Sequence, residues 1–301
     1  MTDNRRGLWY GAAAYLMWGL FPLYWTLLEP SGALEILDHR IVWSLVFTAV
    51  LLGARRQWPA LRAALRSGRA ALILTAAAML ISINWATYIY GVNSGHVVET
   101  SLGYFINPLV SVALGVLVFR ERLRPVQWAA VAIAVVAVAV LTVDYGRPPY
   151  IALTLAFTFA FYGLLKKIVR VGPVEGLAIE SGVLTVPALA MLGYFAVQGD
   201  LTFGTVSPLH TVLLMLAGVV TAVPLLAFAT GARMIPLSTM GLLQFIAPVM
   251  QFALGLLVFS EPMPAGRLVG FALVWLALTL FTIDLRRRRR APVLTTAAIV
   301  P

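Results

Sequence analysis

Cysteine is absent from the 301 residues, which excludes disulfides, thiolate zinc sites and a cysteine nucleophile. Charge is scarce as well: Asp, Glu, Lys and Arg make up 11% of the chain, against roughly 25% in an ordinary soluble domain. There is no GxxxxGK[ST] phosphate loop, so ATP does not drive the protein directly. There is no HExxH pair and no His or Cys cluster at metal-ligand spacing. Ser, His and Asp all occur, but no pattern places them together. Membrane proteases and lipid transferases need such constellations, so neither an enzyme nor a cofactor or metal site is expected.

What is present is apolar: 61% of residues are hydrophobic. A soluble fold has no core large enough to hide that surface, whereas a bilayer acts as its solvent. The net charge of +10 raises nucleic acid as a partner. The basic residues, however, fall in short bursts between apolar segments and not on one soluble face, so the lipid bilayer is the expected partner.

A spanning helix needs about 20 apolar residues. Ten segments qualify: 8–28, 37–54, 70–91, 97–119, 126–142, 150–168, 176–197, 209–231, 236–259 and 266–284. Between them lie breaks such as Glu29-Pro30-Ser31-Gly32, Arg147-Pro148-Pro149, Gly172-Pro173 and Glu261-Pro262-Met263-Pro264. The run from Leu8 to Leu28 follows Arg5 and Arg6 but is too long for a signal-peptide core, so it is expected to be retained as the first span. The tail after Arg290 is expected to be unstructured.

Lys and Arg orient the chain, because cytoplasmic loops retain them. With the N-terminus inside, the inner segments hold Arg5, Arg6, five arginines from Arg55 to Arg69, three from Arg120 to Arg124, Lys166, Lys167, Arg170, Arg233 and the five of Arg286–Arg290. The outer segments hold only Arg40, Arg147 and Arg267. A missed or invented span would swap every later loop and destroy this separation, so the pattern predicts ten spans with both termini cytoplasmic. Arg286–Arg290 then reads as a topological anchor against anionic lipid.

A repeat is legible too. Ser101–Glu121 (SLGYFINPLVSVALGVLVFRE) lies over Gly241–Glu261 (GLLQFIAPVMQFALGLLVFSE) at a constant offset, with Pro108, Gly115 and Glu121 among the recurring residues. The copies are spans four and nine. Five spans is an odd number, so they cross in opposite directions. Inverted five-helix repeats are an architecture of secondary transporters, with substrate near the midplane between repeats.

With these motifs on the page, the chain resembles the RarD family (chloramphenicol-sensitivity permeases) within the EamA branch of the drug/metabolite transporters. The resemblance rests on Tyr15–Gly19 (YLMWG), His39-Arg40 with Trp43-Ser44, Asn84-Trp85, Glu99 with Ser101–Pro108, Gly115 with Glu121-Arg122, and Phe161-Tyr162-Gly163. In the second half it rests on Thr221 with Pro224-Leu225, Leu237-Ser238-Thr239, Gln244-Phe245 with Pro248, and Glu261. It implies an all-α membrane protein of ten transmembrane helices in two inverted EamA repeats: 1–145 the first, 146–285 the second, and 286–301 a basic cytoplasmic tail. It implies an inner-membrane permease or exporter of small organic molecules such as drugs, amino acids or metabolites. A lipid or lipid-linked-sugar flippase on the same fold is the alternative, and a non-transporting scaffold is another.

The candidate substrate contacts follow. Asp38, His39 and Arg40 open span two, either as an outer gate or anion contact or as an interfacial cluster that snorkels to water. Trp43 lies on the same span. Asn84 sits at mid-membrane with Trp85 and Tyr88 as an aromatic wall, or else serves as helix-to-helix glue. Tyr104 and Asn107 lie at a similar depth on span four. Pro108 and Pro248 are expected to break their helices, the second near Gln244 and Phe245. Trp18 and Tyr162 correspond across the repeats and are expected to line the cavity. Glu99 is expected to cap span four. Glu180 is expected to pair with Lys166, Lys167 or Arg170. Asp38 and Glu99 are the expected candidates for carrying a proton on the outer side.

Overall fold

A computed structural model describes residues 3–119, 125–169, 171–235 and 243–290. All regular structure among them is helical, as lipid requires: a helix satisfies every backbone hydrogen bond within one segment. The helices are α1 (Asp3–Gly19), α2 (Phe21–Thr26), α3 (Ala33–Ala54), α4 (Trp58–Arg66), α5 (Gly68–Asn93) and α6 (Val97–Phe119), followed by α7 (Pro125–Tyr145), α8 (Tyr150–Ile168), α9 (Pro173–Gln198), α10 (Pro208–Met234), α11 (Ile246–Leu257) and α12 (Ala265–Arg290). Five of them, α3, α5, α7, α9 and the Pro208–Phe228 part of α10, are long and apolar enough to cross a membrane. Large aliphatic side chains such as Val143 and Val197 stand more than four-fifths exposed, which water would penalise and lipid would not.

Each of the ten apolar segments contains helix, with three differences of detail. The first segment is two helices, since the chain turns at Leu20 ahead of Pro22. Proline at the second position of α2 loses an amide that a first turn leaves unpaired anyway. Residues 58–66 form α4, a short amphipathic helix that no apolar run announced; its Leu61 packs against Leu74, Val169 and Ile179. No helix break occurs at Pro108, which lies inside a continuous α6. Pro248 lies in the first turn of α11, and the helix break expected near it falls at the turn of Gln244 and Phe245, between helical Leu243 and α11. Leu237-Ser238-Thr239, Glu121-Arg122, Arg120, Arg124, Arg170 and the tail after Arg290 lie outside the described residues. The backbone of α12 stays helical through the arginine run to Arg290.

The chain divides into two compact units. The larger comprises residues 1–111 and 150–263. In it α1 packs on α10 and α11, α3 on α9 and α10, and α5 on α8 and α9. Its core holds Trp25, Leu28, Ile36, Trp85, Tyr88, Ile89, Leu155 and Leu214. The smaller, residues 112–149 and 264–301, pairs α7 with α12. There Arg267 Nε donates to Asp144 at 3.3 Å, and the Leu141 side chain fills the space beside Gly270.

Three glutamates, Glu35 and Glu99 buried and Glu261 half-buried, tie distant segments of the larger unit together. Glu35 accepts from Thr202 N at 2.8 Å and Phe203 N at 3.2 Å. Glu99 accepts from Ile151 N at 3.1 Å, so it serves the first turn of α8. The start of α6 is served by Glu261, which accepts from Val97 N and Val98 N. A carboxylate at a helix N-terminus meets unpaired amides and the positive end of the dipole at once.

Candidate functional site

The site centres on Arg40, on the second turn of α3. Its side chain is 3% exposed. Nε donates to Thr221 Oγ1 on α10 at 2.6 Å. The guanidinium carbon lies 3.9 Å from the Trp85 ring centroid and 5.1 Å from that of Trp25, with Phe21 at 5.7 Å. Arg40 pairs with no carboxylate among the described residues, and its Nη groups donate to none of them. Taking such a charge out of water costs several kcal/mol. A desolvated cation–π contact returns about 2 kcal/mol and one charge-assisted hydrogen bond about 1.5–3 kcal/mol, so the charge is only partly compensated.

Four helices place these groups. On α5, Trp85 and Tyr88 are three residues apart and share a face. Tyr88 meets Tyr104 of α6 edge-on at 5.7 Å, and Tyr104 meets Phe159 of α8 at 6.1 Å. The Tyr88 hydroxyl is buried and has no hydrogen-bond partner. Tyr88 and Tyr104 lie within electrostatic reach of Arg40.

Asn84 touches this cluster but spends its amide on the protein. Nδ2 donates to Leu155 O at 3.0 Å and Thr158 Oγ1 at 2.9 Å, both on α8, and Oδ1 accepts from the Tyr104 hydroxyl at 3.4 Å. It joins α5 to α8. Asn84→Ala should therefore lower stability by about 0.6–1.7 kcal/mol, the span measured for hydrogen bonds between membrane helices, and change ligand affinity less than threefold. Thermal unfolding and ligand titration of one purified variant check both halves; a tenfold affinity loss with unchanged stability would contradict it.

The remaining candidates divide by location. Asn107 accepts from Ser111 Oγ at 3.2 Å and leaves its Nδ2 unpartnered; no described contact joins it to Asn84. Trp43 packs against Gly218 where α3 meets α10, with its indole N–H buried and unpartnered. His39 faces away from Arg40: it stacks on Phe203 at 4.6 Å and lies 3.9 Å from Glu35. Nearby, Asp38 Oδ2 is buried without a partner. Trp18 joins Tyr15 and Phe228 in an aromatic group and also packs against the core that holds Trp25 and Trp85, and its carbonyl accepts from Gln251 Nε2 at 3.0 Å. Gln244 and Phe245 are half-buried ahead of α11. Tyr162 donates to Glu180 Oε2 at 3.2 Å, and Lys166 Nζ meets Glu180 Oε1 at 2.7 Å, as expected for Glu180. Phe159, 6.0 Å from Tyr162, links this pair to the Arg40 cluster through Tyr104.

Sequence reasoning did not single out Phe21, Trp25, Thr158 or Glu35. A signal for Glu35 existed. The offset that superposes spans four and nine also sets Gly32-Ala33-Leu34-Glu35 on Gly172-Pro173-Val174-Glu175. Both glycines are extended N-caps, with ψ of 159° and 158°, and both glutamates are buried.

Residues 5–143 match the EamA-like transporter family. The chain is 54% identical over 291 residues to Protein RarD of Streptomyces exfoliatus, covering 96% of this chain and 92% of that relative. It is 45% identical over 295 residues to the uncharacterized transporter YojE of Bacillus subtilis, covering 96% and 98%. One solved crystal structure superposes with a TM-score of 0.59 at 16% identity, covering 93% of this chain and 99% of its own, a likeness of fold.

Proposed function

Because the chain belongs to the RarD family of EamA-like transporters, we propose that it is a secondary transporter of small organic solutes that works by alternating access, with solute held where α3, α5, α6 and α10 converge on Arg40. The protein is a multi-pass membrane transporter; ten spans in two inverted repeats, with both termini cytoplasmic, is the arrangement we assign to it.

The observation that carries this reading is a symmetry of packing. Let each span exchange with its counterpart five spans later: α1 with α8, α3 with α9, α5 with α10, α6 with α11 and α7 with α12. The pair α1–α10 then becomes α8–α5, and α3–α10 becomes α9–α5; both products are packed pairs. The pairs α3–α9 and α7–α12 map onto themselves. The pair α1–α11 becomes α8–α6, where Gly103 lies against Ala152 and Leu155. A pseudo-two-fold of this kind lets two bundles rock about one fixed site.

Two measurements test the reading. Uptake and counterflow in liposomes, using amino acids, aromatic acids and chloramphenicol as solutes, should give saturable flux that needs the protein; no flux for any of them would count against transport by this site. Reporters fused after Arg69, Gly95 and Pro301 should read inside, outside and inside. An outward signal at Arg69 or Pro301 would refute the ten-span arrangement.

A further inference from the structure

The Arg40 cluster is built for one kind of chemistry, and this inference rests on the transporter reading above. Arginine stays protonated under all ordinary conditions and presents five N–H donors in a planar fork. Here the fork is partly committed. Trp85 covers the guanidinium face at 3.9 Å, and Thr221 takes the Nε hydrogen. The Nη hydrogens meet no acceptor among the described residues, and the Tyr88 hydroxyl is buried without a hydrogen-bond partner. A buried charge is retained at a site where something answers it, and no described carboxylate does.

The geometry points to a carboxylate-bearing aromatic or amphipathic solute, its carboxylate bound bidentate to the Arg40 Nη edge and its apolar body against Tyr88 and Tyr104. A planar carboxylate matches the fork in geometry and cancels the charge. An organic cation would meet an uncompensated like charge, and a neutral amide would offer one acceptor in place of two. Thr221 and Trp85 act as positioning residues: one fixes the rotation of the guanidinium, the other its plane.

The test uses the full chain in nanodiscs, with tryptophan fluorescence and thermal unfolding as readouts. The probes are benzoate, 3-phenylpropionate and L-phenylalanine, each against its own amide. The expected result is that at least one acid binds tenfold or more tightly than its amide, that Arg40→Lys loses about tenfold, and that Arg40→Met abolishes the preference. Without ligand, Arg40→Met should unfold at a higher temperature than the parent, because a poorly compensated buried charge is gone; a purely structural arginine would give the opposite shift. If Arg40→Met fails to fold, Thr221→Val keeps the charge and should weaken acid binding threefold or more without changing amide binding. Equal affinity for acid and amide, a preference that survives Arg40→Met, or no binding by any of the three acids overturns the assignment. Flux separates this from the transporter reading. Acid binding without flux sinks transport and leaves the arginine site standing, whereas flux of amides equal to that of acids sustains transport and overturns the arginine site.

Discussion

Lys166→Met should destabilise the protein by about 3 kcal/mol, near the lower end of the range for removing one partner of a buried ion pair. Glu180 has a side chain only 2% exposed, with Lys166 Nζ at 2.7 Å. Without the lysine, the carboxylate keeps, among the described residues, the Tyr162 hydroxyl at 3.2 Å, too little for a charge taken out of water. The lysine is one-quarter exposed and partly screened, hence the low end of the range. Adding Glu180→Met to Lys166→Met should restore most of the loss, because the double variant buries no charge. Denaturant unfolding of the parent, both single variants and the double variant closes the cycle. A cost under 1 kcal/mol for Lys166→Met would mean the pair behaves as a solvated surface bridge.

Gly218→Leu should prevent α3 and α10 from docking. A Cβ at Gly218 would fall on the main chain of Trp43 and Ser44, and backbone cannot step aside as a side-chain tip can. Two effects oppose each other here. Replacing a mid-helix glycine by alanine gains up to about 1 kcal/mol of helix propensity, while overpacking costs about 1–3 kcal/mol. At Gly193, where nothing lies within 4 Å of an added Cβ, propensity wins and Gly193→Ala should be neutral or stabilising. At Gly218 the clash wins: Gly218→Ala should lose about 1–2 kcal/mol, and the leucine variant should fail to accumulate as folded protein. Because α10 also carries Thr221, Gly218→Ala should loosen Arg40 and weaken acid binding, an effect Gly193→Ala lacks. Equal stability of the two alanine variants would contradict the close approach.

Helix positions were largely legible because hydropathy reports one constraint, that backbone polar groups in lipid must be satisfied within each segment. The pairing of Glu180 was legible because the nearest cations along the chain are Lys166, Lys167 and Arg170, just before its span. What local pattern does not encode is which helix a polar group will face. Asn84 was placed at mid-membrane as a substrate contact or helix glue, yet its partners, Leu155 and Thr158, lie more than 70 residues away. Glu99 was read as a local cap, and it reaches α8, 52 residues further on. Pro108 was expected to interrupt α6, but proline in a membrane helix is tolerated where neighbours accommodate the freed carbonyl. His39 and Arg40 are adjacent in sequence and were treated as one unit. A helix turns about 100° per residue, and that rotation sends one toward Phe203 and the other toward Trp85.

The glutamates that tie distant segments together also bear on how the chain is made. Val97 and Val98 leave the ribosome 164 and 163 residues before Glu261, which accepts their amides, and Glu35 waits 167 residues for Thr202. Until then the first amides of α6 lack these acceptors, and a helix end in that condition is weakly held. The contacts that fix these early segments are therefore completed only when the last third of the polypeptide has been made.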